Sequence, residues 1–366
     1  MKMKNSRLLF ISTLLLFFGV ALILAGCGSE ETEGTNSSNE SEDSGAEKEA
    51  IDSSTNVDTE KDQEQYVLKV GHVFDTSHAW NIALEGLAED VAEATDGNVE
   101  IQVYPSSQLG GDRDVAEGLQ LGTVEMGLFG TGALQSLDKR MIVEELPYAW
   151  PTREHAYAAV DGELGDALAD VLLEYDIGTL SWWESGYRHI TNSVTPINSP
   201  SDLEGIKLRV PEAELRVDTF EELGALPTPM AFSEVFYGLQ QNVVHGQENP
   251  LATIYTSKFH EVQDHLALSG HIWGSAVLTI SQQTMNDLPS EYQEILIEKA
   301  EVWKEKERKM IQESDEEMLV KLKEEGMQVT EPDIKAFQEK VSVIWDQYED
   351  EYGKELVDIV RKYSEQ

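Results

Sequence analysis

The chain has 366 residues, of which 69 are acidic and 27 are basic, so its formal net charge at pH 7 is −42. A surface this acidic repels phosphate groups, which excludes nucleic acid and an anionic membrane surface as binding partners. An acidic small molecule would therefore have to bind in a locally basic pocket.

The first 27 residues have the order of an export signal. Basic residues at Lys2, Lys4 and Arg7 precede an apolar run over 8–24, and the run ends in Ala25-Gly26-Cys27. We predict that residues 1–26 are a signal peptide. Cys27, the single cysteine of the chain, is predicted to carry lipid such as palmitate and to anchor the protein at the extracytoplasmic face of the cell membrane. The alternative is an uncleaved transmembrane anchor, because the run approaches the ~20 apolar residues that cross a bilayer.

Residues 27–65 are predicted to be a disordered acidic tether. The segment is rich in Ser, Glu, Asp, Gly and Thr, and over 28–64 its large aliphatic side chains are Ile51 and Val57 alone. Such a segment cannot bury enough apolar surface to fold. The remaining part, about 300 residues, is long for one core and typical of two lobes.

The apolar spacing from Tyr66 onward alternates between strand and helix periods. The predicted order is a strand (66–72), a helix (79–95), a strand (99–104), a loop (108–114) leading into a helix through Gln120, and a strand (124–128). This alternation predicts a mainly parallel sheet covered by helices. The glycine pair in the loop lacks the Lys-Ser/Thr of a phosphate-binding loop and is better explained as a turn and helix cap.

The second part of the chain continues the same pattern. Further elements are predicted as strands at 178–183, 207–210 and 276–281, and as helices at 155–173 and 212–223. A charged amphipathic stretch from Pro289 to about Glu325 exceeds the usual 8–20 residues of a globular helix. One long helix that braces two lobes is the prediction, and a coiled coil is the alternative, although the apolar residues do not keep a regular heptad.

The sequence carries no sign of a catalytic centre. It has no nucleophile elbow, HExxH helix or paired-cysteine metal site, so no enzymatic activity, cofactor or metal is predicted. Arginine is scarce in this chain, yet Arg188 follows one predicted strand and Arg209 lies within another. A guanidinium matches a carboxylate with two parallel hydrogen bonds, so the pair could hold an organic anion. The alternative for each is a structural ion pair.

Three motifs add a family resemblance to these arginines. They are YPSSQLGGDR at 104–113, LEGIKLRVP at 203–211, and PTPMAFSEVF at 227–236 followed by GQENP at 246–250. With them, residues 66–332 resemble the extracytoplasmic solute-binding subunits of TRAP transporters, the DctP-type family. The resemblance implies an α/β, periplasmic-binding-protein-like fold (Venus flytrap), whose two lobes close on a ligand and are braced by the long helix. The expected lobes are 66–187 with 275–314 and 188–274 with 315–366, and the expected hinge lies near Gly186 and Ser275.

The resemblance also implies a set of ligand-binding residues. Arg209 matches the position that binds the ligand carboxylate, and Arg188 matches a second, supporting arginine. The further candidates are a polar contact at Asn249, an aromatic wall at Phe232, the cleft-facing loop residues Asp112 and Arg113, and the additional residues Trp183, Glu184 and His72. For Trp183, core packing is the alternative.

The implied function is delivery of an organic acid to the integral membrane subunits of the transporter. A Gln-Leu-Gly loop with two arginines is common in binders of sugar acids such as hexuronates, and we predict that class of ligand. C4-dicarboxylate binders usually differ at Arg188, and sialic acid binders place an asparagine and a glutamate where this chain has Val73 and Gly130. These two ligands remain alternatives, as do a sensing lipoprotein for a membrane receptor and a secreted enzyme.

Overall fold

The computed structural model describes residues 65–365; the predicted signal peptide, Cys27 and the tether up to residue 64 lie outside the described residues. The strands are Tyr66–Gly71 (β1), Val99–Tyr104 (β2), Met126–Gly130 (β3), Ile177–Asn192 (β4), Lys207–Val210 (β5), Leu226–Pro229 (β6), Gly246–Pro250 (β7), His265–Ser281 (β8) and Gln328–Thr330 (β9). The helices are Ala79–Ala94 (α1), Asp112–Leu121 (α2), Arg153–Val160 (α3), Glu163–Leu173 (α4), Glu214–Glu222 (α5), Val235–Gln240 (α6), Leu251–Thr256 (α7), Gln282–Asp287 (α8), Ser290–Glu324 (α9), Ile334–Tyr352 (α10) and Lys354–Ser364 (α11).

The strands form one sheet in the order β2-β1-β3-β8-β4-β7-β5-β6, and β9 also pairs with β8. The long strands β4 and β8 pair antiparallel along nearly their whole length. The parallel strands β1, β2 and β3 join the C-terminal part of β8 through β3, and the parallel strands β5, β6 and β7 join the C-terminal part of β4 through β7. The result is the two-lobed α/β fold predicted from the sequence.

The long strands β4 and β8 carry a bulge where they pass from the parallel strands β1, β2 and β3 to the parallel strands β5, β6 and β7. Glu184 pairs with Ser275 and Gly186 pairs with Gly274, which leaves Ser185 as an extra residue. Gly186 has a φ of +108°, a conformation that side chains other than glycine rarely adopt. A bulge bends a strand and increases its twist, so this is where the strand pair changes direction.

Helix α9 is 35 residues long and contacts β4, α1 and α7. Its Leu296 and Ala300 belong to the apolar cluster built on β1, α1 and β3, whereas its Met318 and Leu322 belong to the cluster around α6 and α7. The predicted bracing helix is therefore confirmed. Within residues 65–365, no helix has both the length and the apolar character needed to cross a membrane.

Two differences from the predicted elements have local causes. The helix predicted over 155–173 is divided into α3 and α4, because Gly162 has non-helical backbone angles and Asp161 binds Arg308 of α9. Strands β4 and β8 are longer than predicted, since they continue through polar residues that are paired inside the protein. The residue boundaries of the two lobes stay a prediction.

Candidate functional site

Two adjoining cavities lie beside the C-terminal ends of the parallel strands. The larger has a volume of about 370 Å³ and the smaller about 70 Å³. Much of their walls comes from the segments that follow β1, β2, β3, β5 and β6. In open α/β sheets, ligands bind outside the carboxyl ends of strands, and small-molecule sites begin at about 300 Å³. The residues that line both cavities are Val73, Asp112, Ala133, Arg209, Pro211 and Phe232.

Arg209 on β5 is the cation that the two cavities share. Its side chain is buried, and its Nε and Nη2 donate to the carbonyl oxygen of Met230 at 3.0 and 2.7 Å. Among the described residues, no carboxylate accepts a hydrogen bond from it. Burial lowers the pKa of Arg209, and the positive charges of Arg188 and Arg216 lower it further. The carboxylates of Glu248 and Asp112 oppose this shift only in part. The guanidinium is therefore prepared to accept an anion.

Arg188 on β4 lines the smaller cavity but is already paired. Its Nε donates to Glu248 Oε2 at 2.5 Å and its Nη2 to Glu248 Oε1 at 2.9 Å and to Asn249 Oδ1 at 3.0 Å. Arg216 on α5 binds the same Glu248 through Nη1, at 2.9 and 3.1 Å, and Glu145 through Nε and Nη2. His271 Nε2 lies 3.1 Å from Glu248 Oε2. Two arginines and two glutamates thus form a buried network behind Arg209.

Glu248 is the centre of that network and is fully buried. Burial alone would raise the pKa of Glu248, but the charges of Arg188 and Arg216 hold it well below its ordinary value. The carboxylate stays ionised and fixes both guanidinium groups. Arg188 in turn orients the amide of Asn249, whose Nδ2 donates to Gln247 Oε1 at 2.5 Å.

Asp112 and Phe232 complete the shared wall. Asp112 is the first residue of α2 and makes no hydrogen bond through its side chain to any described residue. Burial raises the pKa of Asp112 to about 6, against the opposing charge of Arg209. The ring of Phe232 packs edge-on against Phe74 at 5.0 Å, and the Arg209 guanidinium lies 6.0 Å from its centre. The wall offers an acceptor, a cation and an aromatic face.

The other predicted site residues lie elsewhere or at the margin. Arg113 lines the larger cavity but is exposed and bonded to Glu117 Oε1 at 2.9 Å. Trp183 and His72 are buried and line neither cavity; Trp183 packs in the apolar core, and His72 lies 3.3 Å from Asn81. Glu184 is bound by Arg153 at 2.7 Å and by Trp273 at 2.9 Å, close to the bulge and not in the cavity wall. Trp183, His72 and Glu184 therefore lie outside the cavity walls. The other six predicted residues line one or both cavities: Arg209, Arg188, Asn249, Phe232, Asp112 and Arg113.

Arg216, Glu145 and Glu248 were not among the residues predicted from the sequence. Glu248 lies inside the GQENP motif, which was a signal for its importance. Arg216 and Glu145 carry no comparable signal, because charged residues are common in the segments around them. Among residues 65–365, no group of three or more His, Cys, Asp or Glu side chains is arranged to hold a metal ion.

A two-lobed α/β fold with a buried cation in a cleft at the strand ends defines a protein that binds small anionic molecules. The model of the bacterial extracellular solute-binding protein family 7 matches residues 70–351. The chain belongs to this family, the DctP-type solute-binding subunits of TRAP transporters, as its motifs predicted.

Relatives and solved structures agree with this assignment. A solute-binding protein of Roseobacter denitrificans, RD1_1052, is 37% identical over 276 residues, which cover 75% of this chain and 84% of the relative. Its crystal structure with bound L-galactonate gives a TM-score of 0.77 at 35% identity and covers 82% of this chain and 99% of that one. The sugar acid binding protein DctPAm of Advenella mimigardefordensis, in complex with galactonate, gives a TM-score of 0.81 at 31% identity. The match covers 83% of this chain and 99% of that one. A protein of Sulfitobacter with bound β-D-galacturonate gives 0.78 at 30% identity, with 82% and 100% covered.

Proposed function

We propose that this chain captures a sugar acid outside the cell and delivers it to the integral membrane subunits of a TRAP transporter. The observation that carries the proposal is Arg209, the buried cation of both cavities that has no carboxylate partner among the described residues. A ligand carboxylate would supply the missing charge through two parallel hydrogen bonds. Three similar structures were solved with galactonate, L-galactonate or galacturonate, which supports a sugar acid as the ligand.

The rest of the cleft suits a small polyhydroxylated anion. Asp112 and the amide of Asn249 provide polar contacts, and Phe232 provides an apolar face for carbon–hydrogen groups. Val73 and Gly130 line the smaller cavity without offering side-chain polar atoms. The lack of polar side-chain atoms at these two positions argues against sialic acid as the ligand. We propose binding without chemical change, so a bound sugar acid should be recovered intact by NMR after incubation with the protein.

Sugar acids should stabilise the purified protein and make it more compact. A ligand that binds only the folded state adds about 2.7 kcal/mol at a hundredfold excess over Kd. The proposed closure of the two lobes about the bulge at Gly186 should also reduce the radius of gyration. We would measure melting temperature and small-angle scattering with aldonates, hexuronates, sialic acid and C4-dicarboxylates. A response to sialic acid or to a C4-dicarboxylate alone would contradict the proposal.

The proposed lipid anchor at Cys27 has a separate test. Several acyl chains give stable membrane attachment, since each buried CH₂ contributes about 0.8 kcal/mol. Cys27→Ser should therefore release the protein from the membrane fraction or leave it as an unprocessed precursor. Fractionation and immunoblotting of the full-length chain would show this. Mature size and membrane retention equal to the wild type would exclude lipid attachment at Cys27.

A further inference from the structure

The charges of the cleft are divided between its two cavities. The smaller cavity is lined by Arg188, Arg209 and Arg216, with Glu145 and Asp112 as its carboxylates. The larger cavity is lined by the carboxylates of Asp112, Asp114 and Glu212, while its cations are Arg209 and the exposed Arg113, which is bonded to Glu117. A ligand held by Arg209 in the larger cavity therefore extends toward negative charge.

Asp112 is the carboxylate best placed to act on such a ligand. It lines both cavities together with Arg209, and no described residue donates a hydrogen bond to its side chain. Asp114, by contrast, accepts a hydrogen bond from the backbone N–H of Gly111 at 2.9 Å, and Glu212 is exposed. Asp112 is only partly exposed, and burial raises the pKa of its carboxyl group to about 6, because the surrounding protein replaces part of its water. A poorly solvated carboxylate is a strong acceptor for hydroxyl groups and strongly repels another anion.

We propose that Asp112 makes the cleft selective for sugar acids with a single carboxylate and against dicarboxylates. This inference rests on the proposed function and specifies its ligand class. The carboxylate of the ligand binds Arg209, and a hydroxyl group of the ligand donates to Asp112. A second carboxylate in place of that hydroxyl group would meet the negative charge of Asp112 in a partly buried site.

Galactonate and galactarate are the probes for this selectivity, because they differ only in having a CH₂OH or a carboxylate at the far end. We would titrate both into the purified wild-type protein by calorimetry at neutral pH, with galacturonate as a second monocarboxylate. We expect galactarate to bind up to roughly tenfold more weakly than the better monocarboxylate, because the like charges repel until Asp112, with a pKa of about 6, takes up a proton. Asp112→Asn should improve galactarate binding and weaken galactonate only a few-fold, because the amide oxygen still accepts a hydrogen bond.

Glu93→Gln is the matched control for the change in charge. Glu93 is exposed on α1, lines neither cavity, and has no side-chain hydrogen bond or ion pair to the described residues. Its variant should keep the wild-type ratio of the two affinities. Equal binding of galactarate and galactonate by the wild type would overturn the inference and leave the proposed function standing. An unchanged ratio in Asp112→Asn would overturn the role of Asp112, and binding of none of the three acids would overturn the proposed function itself.

Discussion

Arg209→Lys should weaken sugar acid binding by roughly 2–5 kcal/mol, the range found when one partner of a buried charged pair is altered. Lysine keeps the positive charge but cannot make two parallel hydrogen bonds to a carboxylate. Since the only described hydrogen-bond acceptor of the Arg209 side chain is the carbonyl of Met230, the protein without ligand should melt near the wild-type temperature. Arg209→Ala should weaken binding further.

Calorimetry with galactonate and thermal melting without ligand would test these two variants together. Arg140→Lys is a matched control, because Arg140 pairs with Asp138 and Glu174 and lines neither cavity of the cleft. It should bind galactonate as the wild type does. Near-wild-type affinity of Arg209→Lys would remove Arg209 from the site, and a large loss of melting temperature without ligand would identify it as a structural arginine.

Glu248→Gln, unlike the Arg209 variants, should destabilise the protein without ligand. We expect a loss of about 3–5 kcal/mol in the free energy of unfolding. The substitution removes the charge that Arg188 and Arg216 share in the protein interior. Urea unfolding at neutral pH would measure the loss. Glu117→Gln removes only an exposed ion pair with Arg113 and should change stability only slightly. A loss of that small size in Glu248→Gln would contradict the network.

The same substitution should show a characteristic pH dependence. The pKa of Glu248 is lower in the folded protein than its ordinary value of 4.5, so its ionised form stabilises the fold above that value. This contribution is lost as the pH falls through the lowered pKa of the folded state. The difference in stability between wild type and Glu248→Gln should therefore be largest at neutral pH and shrink in acid.

Much of the fold was predictable because its units are local. Strands β1 and β2 are each followed by a helix whose apolar residues lie at helical spacing, and β5 has the predicted bounds. The long strands were not predictable in full. Residues such as Arg188 and Asn192 look like the end of a strand, yet they remain in β4, where Glu248 accepts hydrogen bonds from Arg188 and the backbone N–H of Val194 donates to Asn192 Oδ1. Pairing partners far away in the sequence decide where such strands stop.

The candidate site was predictable where a motif marked it and not where packing created it. Arg209, Asn249 and Phe232 lie in motifs and line the cavities. Trp183 and Glu184 are adjacent on β4 and both fully buried, so alternation along the strand could not tell which side faces the cleft. Arg216 lies on a short helix in an acidic segment, where an arginine is usually solvated. Only the packing of α5 against the sheet buries it.

The pairing of β8 has a consequence for how the molecule is made. One part of β8 pairs with β3, from far earlier in the chain, and its beginning pairs with β9, from later in the chain. If the chain leaves the cell unfolded and N-terminus first, β3 must wait for Ile280 to emerge before its sheet can be completed. Contacts so distant in sequence slow folding. We therefore expect the two lobes to fold in one late, cooperative step after export. Until that step, the strong negative charge of the unfolded chain should keep it from aggregating.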